Sequence, residues 1–130
     1  METKPTLAEA WEKFGDFHDS LITRVELVLR PAPWDAVVEL EGTADSPDLP
    51  WYFIRFDFAG VEEWRFDQPR HLAPTTIIFE AAWAELDGLA YVAFDGVNID
   101  PDAPTVEMFR ASDTYIAAKA VEVTLRPMAG

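Results

Sequence analysis

The sequence predicts an α+β fold, mainly antiparallel β, with six to eight strands in a curved sheet, sandwich or partial barrel behind one N-terminal helix. Three observations carry this. Apolar residues recur at clear helical spacing near the N-terminus, they alternate with polar residues along much of the remaining chain, and no βαβ rhythm interrupts them. At 130 residues the chain has the size of a single domain, 1–130, with enough length to bury a core.

Thr6 and Glu9 stand at capping-box spacing, and Leu7, Ala10, Trp11 and Phe14 follow at the intervals of one helix face. Gly15 ends that helix. From Ser20 the period changes: Leu21, Thr23, Val25, Leu27 and Leu29 alternate with Ile22, Arg24, Glu26, Val28 and Arg30, as in a half-buried strand that Pro31 and Pro33 stop. Residues 36–41 resume the alternation, Val38 and Leu40 against Glu39 and Glu41, and 42–50 reads as a loop.

Residues 51–58 place Tyr52, Ile54, Phe56 and Phe58 on one side, and 61–67 offer a separate short strand beyond a bend at Gly60. The stretch 68–74 is a second loop, bounded by Pro69 and Pro74. Asp87-Gly88 between apolar runs is the strongest hairpin signal in the chain, because a type I′ turn needs positive φ at both central positions. The helix formers of 80–86 leave open the alternative of a helix ending near Gly88. Residues 98–104 read as loop, 106–109 as a short strand, and 115–126 as a final strand with Val121, Val123 and Leu125 opposite Glu122, Thr124 and Arg126.

The chain has 24 acidic against 10 basic residues, a net charge of −14, which repels phosphate backbones and anionic lipid. Direct nucleic-acid binding and membrane association are therefore not expected. The acidity serves solubility or steers a basic partner. No cysteine is present, so disulfides, thiolate metal sites and cysteine nucleophiles are excluded. An N-terminus without signal-peptide order and the lack of a long apolar run predict a cytoplasmic protein.

Catalytic motifs are lacking. His18, Asp19 and Ser20 are neighbours along an extended segment and cannot converge as a triad, and no G-x-S-x-G elbow occurs. Among so many acids a close carboxylate pair carries no specificity for glycoside hydrolysis. His18, Asp19 and His71 are the weak metal candidates, without the ligand spacing of a metal site, so no metal and no cofactor are expected. Of the aromatics, Trp64 and Trp83 have apolar or small neighbours at i±2 and are expected in the core, whereas Trp34, set among prolines, is the expected exposed anchor for a partner.

The block Phe17-His18-Asp19-Ser20, opening a strand after a short Trp-containing helix, resembles the start of small uncharacterised bacterial β-rich proteins and immunity proteins of polymorphic toxin systems. Phe58-Ala59-Gly60-Val61 and the ending from Tyr115 to Leu125 resemble the strand, bend and strand pattern of that group. The resemblance implies a cytosolic antidote that binds and occludes a toxin, often a basic nuclease, as its protein partner and needs no catalytic residue of its own.

The acidic, loop-rich stretch 95–113 is the expected partner-binding surface. Asp95, Asp100, Asp102, Glu107 and Asp113 would steer, and Trp34 or Phe109 would supply the buried anchor. A domain that binds or transforms a small molecule in an aromatic-lined cavity is the second functional class. A solvated loop serving solubility alone is the plain alternative for 95–113.

Overall fold

A computed structural model describes residues 2–29, 31–43, 51–67, 76–78, 80–96 and 98–128. The loops expected at 44–50 and 68–74, and His71, lie outside the described residues. Element order is α1 (Leu7–Phe14), β1 (Leu21–Val28), β2 (Trp34–Thr43), β3 (Trp51–Phe66), β4 (Thr76–Ile77), β5 (Ala82–Leu86), β6 (Leu89–Ala93), α2 (Val106–Arg110) and β7 (Thr114–Pro127). The strands form one open antiparallel sheet in the order β4-β1-β2-β3-β7-β6-β5. Two meanders, β1-β2-β3 and β5-β6-β7, are joined where β3 pairs β7 from Tyr52↔Pro127 to Phe66↔Thr114.

α1 begins at the capping box. Glu9 N–H donates to Thr6 Oγ1 at 3.1 Å, and the Glu9 carboxylate accepts from the Thr6 N–H at 3.0 Å. Its Ala10 and Phe14, with half-buried Trp11, press on the first face of the sheet, where Val38, Leu40, Ile54, Phe56, Phe58, Val123 and Leu125 are buried. Phe17 is fully buried in the turn between α1 and β1, 4.7 Å from Trp11 and 5.2 Å from Phe14 by ring centroids. Burying each such large apolar side chain contributes about 1.5–3 kcal/mol, so this face is the main source of stability.

Strand alternation holds locally and is then reset. A register shift between Ile22 and Arg24 brings Ile22 onto the same side as Val25 and Leu27, where simple alternation separates them. At Gly60, with φ of +68°, β3 bends but does not stop, so 51–58 and 61–67 are one strand rather than two. Ile54, Phe56 and Phe58 before the bend and Val61 after it all enter the main core. β7 makes the matching change: Ile116 and Ala118 precede it, Val121, Val123 and Leu125 follow, and all five pack there. Gly42 and Thr43, expected in a loop, extend β2.

Asp87 and Gly88 form the predicted tight turn, with φ of +54° and +81° between the paired Leu86 and Leu89. Residues 82–86 are strand, not helix. On the second face, β5, β6 and β7 present Ala84, Tyr91, Ala93, Tyr115 and Ala117, which Ile99 and Phe109 cover as a second, smaller core. The β1-β2-β3 part of that face and the C-terminal half of β7 carry a charged ladder, with Glu39 paired to Arg55 and Arg55 to Thr124.

Candidate functional site

Residues 95–96 and 98–113 fold as a cap over the second core. Ser112 ties its two ends together, donating its hydroxyl to the Asp95 carbonyl at 2.7 Å and accepting the Thr114 N–H at 3.2 Å. Within the loop, the Asp100 carboxylate accepts the Asp102 N–H at 2.9 Å, a local turn that Asp side chains make readily. Thr105 caps α2 by accepting the Met108 N–H at 3.3 Å.

Two expectations for this segment are corrected. Residues 106–109, expected as strand, form the helix α2. Phe109, expected as a partner anchor, is completely buried 5.4 Å from the Tyr91 ring, and so belongs to the domain's own core. An isolated five-residue window cannot distinguish these outcomes, because a helix this short is held by its cap and by burial of one aromatic rather than by propensity.

The cation of the segment, Arg110, points to the sheet. It grips the Glu63 carboxylate with Nε–Oε1 and Nη2–Oε2 contacts of 2.9 and 2.7 Å. Tyr115 donates its hydroxyl to Glu63 at 3.0 Å, and Tyr91 lies at 3.4 Å. The Arg110 guanidinium chiefly, then the phenols, hold Glu63 below the ordinary carboxylate range against the opposing effect of burial. Burial first, and the hydrogen bond to Glu63 second, push the Tyr115 phenol up to about 12.

The consequence is electrostatic. Asp95, Asp100, Asp102, Glu107 and Asp113 are all exposed, and no described cation lies within 4.0 Å of any of them. Sequence reading identified these five acids but missed Glu63, Tyr91 and Tyr115. Their signal was weak: one acid and two aromatics from three strands, joined only when β3 lies beside β7.

Trp34 is exposed, but so are Trp51, Phe53 and Trp64, at 38–44% of their surface, so Trp34 is not singular. Trp64, expected in the core, lies on a part of β3 that extends past its pairing with β2, which ends at Trp34↔Val61. Trp83 is half-buried against the main core, as expected. On the uncovered charged part of the second face, the Arg126 guanidinium stacks 4.8 Å from the Phe53 ring. Both line a shallow recess of about 260 Å³ with Thr23, Arg55 and Thr124.

His18 and Asp19 are both exposed and approach each other at 3.3 Å in the helix–strand turn. Among the described residues no three His, Asp or Glu side chains gather as a metal site would require. No helix among them is long and apolar enough to cross a membrane.

No family model, curated protein or solved structure matches the chain. The candidate site therefore rests on its own geometry: an acidic, internally pinned cap whose single cation is engaged by Glu63 of β3.

Proposed function

We propose that this chain is a cytosolic protein-binding domain of the immunity type, which neutralises a basic toxin by occluding it with the acidic cap of residues 95–113. The observation that carries the reading is the engagement of Arg110 by Glu63, which leaves Asp95, Asp100, Asp102, Glu107 and Asp113 without a neutralising neighbour among the described residues. A one-signed exposed surface raises the encounter rate with an oppositely charged partner and rejects anionic ones. Ser112, Asp100 and Thr105 order the cap before any partner arrives, which reduces the entropy lost on binding. The likeness of the 17–20 and 58–61 blocks to immunity proteins agrees with this role.

A cavity-based function has less support. The recess beside Phe53 falls below the roughly 300–1,000 Å³ typical of small-molecule sites, and its walls are a charged strand ladder.

Affinity capture from the native host, followed by reconstitution with the purified partner, tests the proposal. A basic protein whose activity is lost in a 1:1 complex is the expected partner. Asp100→Lys with Asp102→Lys should then slow association and flatten its dependence on salt. Association rate and salt slope at wild-type values would remove 95–113 from the steering surface.

A further inference from the structure

In the two-residue β5–β6 hairpin, Leu86 and Leu89 flank the turn, so the backbone groups of Ala82, Ala84 and Leu86 point toward β6 and those of the residues between point away. Bonds at the start of the strand agree with this assignment. Glu80 accepts the Gly96 N–H at 2.7 Å on the β6 side. Ala81, at an outward position, donates its N–H to the Asp16 carbonyl at 2.6 Å and accepts the Trp11 indole N–H at 3.1 Å. The turn after α1 thus caps the outer edge at Ala81. Beyond that cap, the outward N–H and C=O groups of Trp83 and Glu85 face no described strand, because β5 ends the sheet.

Charge says what such an edge would accept. Glu80, Glu85 and Asp87 stand along the hairpin, and no described cation lies within 4.0 Å of them. A second copy of this chain would set these acids against their own kind, at a net charge of −14 per chain. An extended segment bearing lysine or arginine meets complementary charge, while its backbone completes the open ladder.

We infer that the outer edge of β5, at Trp83 and Glu85, accepts an extended cationic segment of a protein partner as an added strand. This rests on the protein-binding reading above and specifies where the partner's backbone engages. Trp83 and Glu85 share a face, so the added strand carries an aliphatic side chain beside the indole and a cation beside the carboxylate. The cap at Ala81 sets the limit of its register.

Amide hydrogen exchange of the full chain, followed by NMR, tests this with a blocked peptide of repeating Val-Thr-Lys-Thr as the probe, which sets valine and lysine two residues apart on one face. With the peptide at about ten times its Kd, exchange at Trp83 and Glu85 should slow about tenfold, while Ala84, already bonded to β6, stays unchanged. A peptide of the same composition with alternate N-methylated residues should give no protection. Glu85→Pro, tolerated because that N–H faces away from β6, should abolish the effect with near-UV circular dichroism unchanged. Glu85→Gln should retain protection at Trp83 while weakening its salt dependence.

Peptide responses confined to 95–113 would overturn the inference, as would unaltered exchange at Trp83 and Glu85. Protection that rises with protein concentration in the absence of peptide would assign the edge to a second copy instead. If a captured partner depends on Asp100 and Asp102 but binds Glu85→Pro as tightly as wild type, the protein-binding reading stands and the strand-addition site falls.

Discussion

Glu63 and Arg110 are joined by two charge-assisted hydrogen bonds of 2.9 and 2.7 Å across 47 residues of sequence. The pair fastens the last turn of α2 to β3, and so fixes the acidic cap against the sheet. Two phenols from β6 and β7 complete the carboxylate's surroundings.

Replacing Glu63 by Gln should therefore loosen the cap and change the acid side of the stability profile. The folded state holds Glu63 below its ordinary value of 4.5, so its contribution is present above that pH and is lost as pH falls through the folded value. At neutral pH, denaturant unfolding of Glu63→Gln should show a deficit of about 1 kcal/mol, below the usual scale for a charged hydrogen bond because the Arg110 side chain is 54% exposed and solvent screens the pair. The deficit should shrink below pH 4.5; a deficit of constant size would argue against the linkage.

Tyr115 governs the alkaline side. Its folded pKa is raised to about 12 from an ordinary 10.0, so the stability it contributes is present below pH 10 and lost as pH rises through 12. Ultraviolet titration of phenolate absorbance should show a phenol ionising near pH 12 in the wild type, and Tyr115→Phe should remove that step. Persistence of the step in the variant would assign it to another tyrosine.

At the β5–β6 turn, Gly88 has φ of +81° and nothing lies within 4 Å of the position a Cβ would take. Any cost of substitution is therefore backbone strain without steric clash. Gly88→Val should lower stability by about 1 kcal/mol or more, because a β-branched residue strongly disfavours positive φ, whereas Gly88→Asn should cost less. Equal denaturation midpoints for both variants would contradict a type I′ turn.

Ser20, just before β1, and Gly42 of β2 form a tight pair. A Cβ at Gly42 would meet Ser20 Oγ at 2.3 Å, and that buried hydroxyl has no hydrogen-bond partner among the described residues. Gly42→Ala should be destabilising by about 1–3 kcal/mol, as overpacking of a filled core is. Ser20→Ala should be neutral or stabilising, since it removes an unsatisfied buried hydroxyl. In the double variant part of the Gly42→Ala cost should vanish, and strict additivity in thermal unfolding would show that the two do not share the space.

Local interactions made several elements legible from sequence. The Thr6–Glu9 capping box, the Asp87-Gly88 turn and the alternation of 36–41 and 121–126 each involve groups within a few residues of one another, so adjacent chemistry determines them. The antiparallel class, the N-terminal helix and the packing of Trp83 against the core followed from those patterns. Among candidate site residues, the exposed acids at 95, 100, 102, 107 and 113 were readable because a loop-rich, charged segment stays at the surface.

Tertiary structure decided the rest. Register shifts near Thr23 and the bend at Gly60 reset which residues share a face, so alternation could not be carried across them. The insertion of β7 beside β3 joined Glu63 to Tyr115, and the same sheet end turned Phe109 inward while leaving Trp64 open. A residue's period states which neighbours it points with; whether that face meets solvent, a helix or a counter-charge depends on strands distant in sequence, and only packing supplies that free energy.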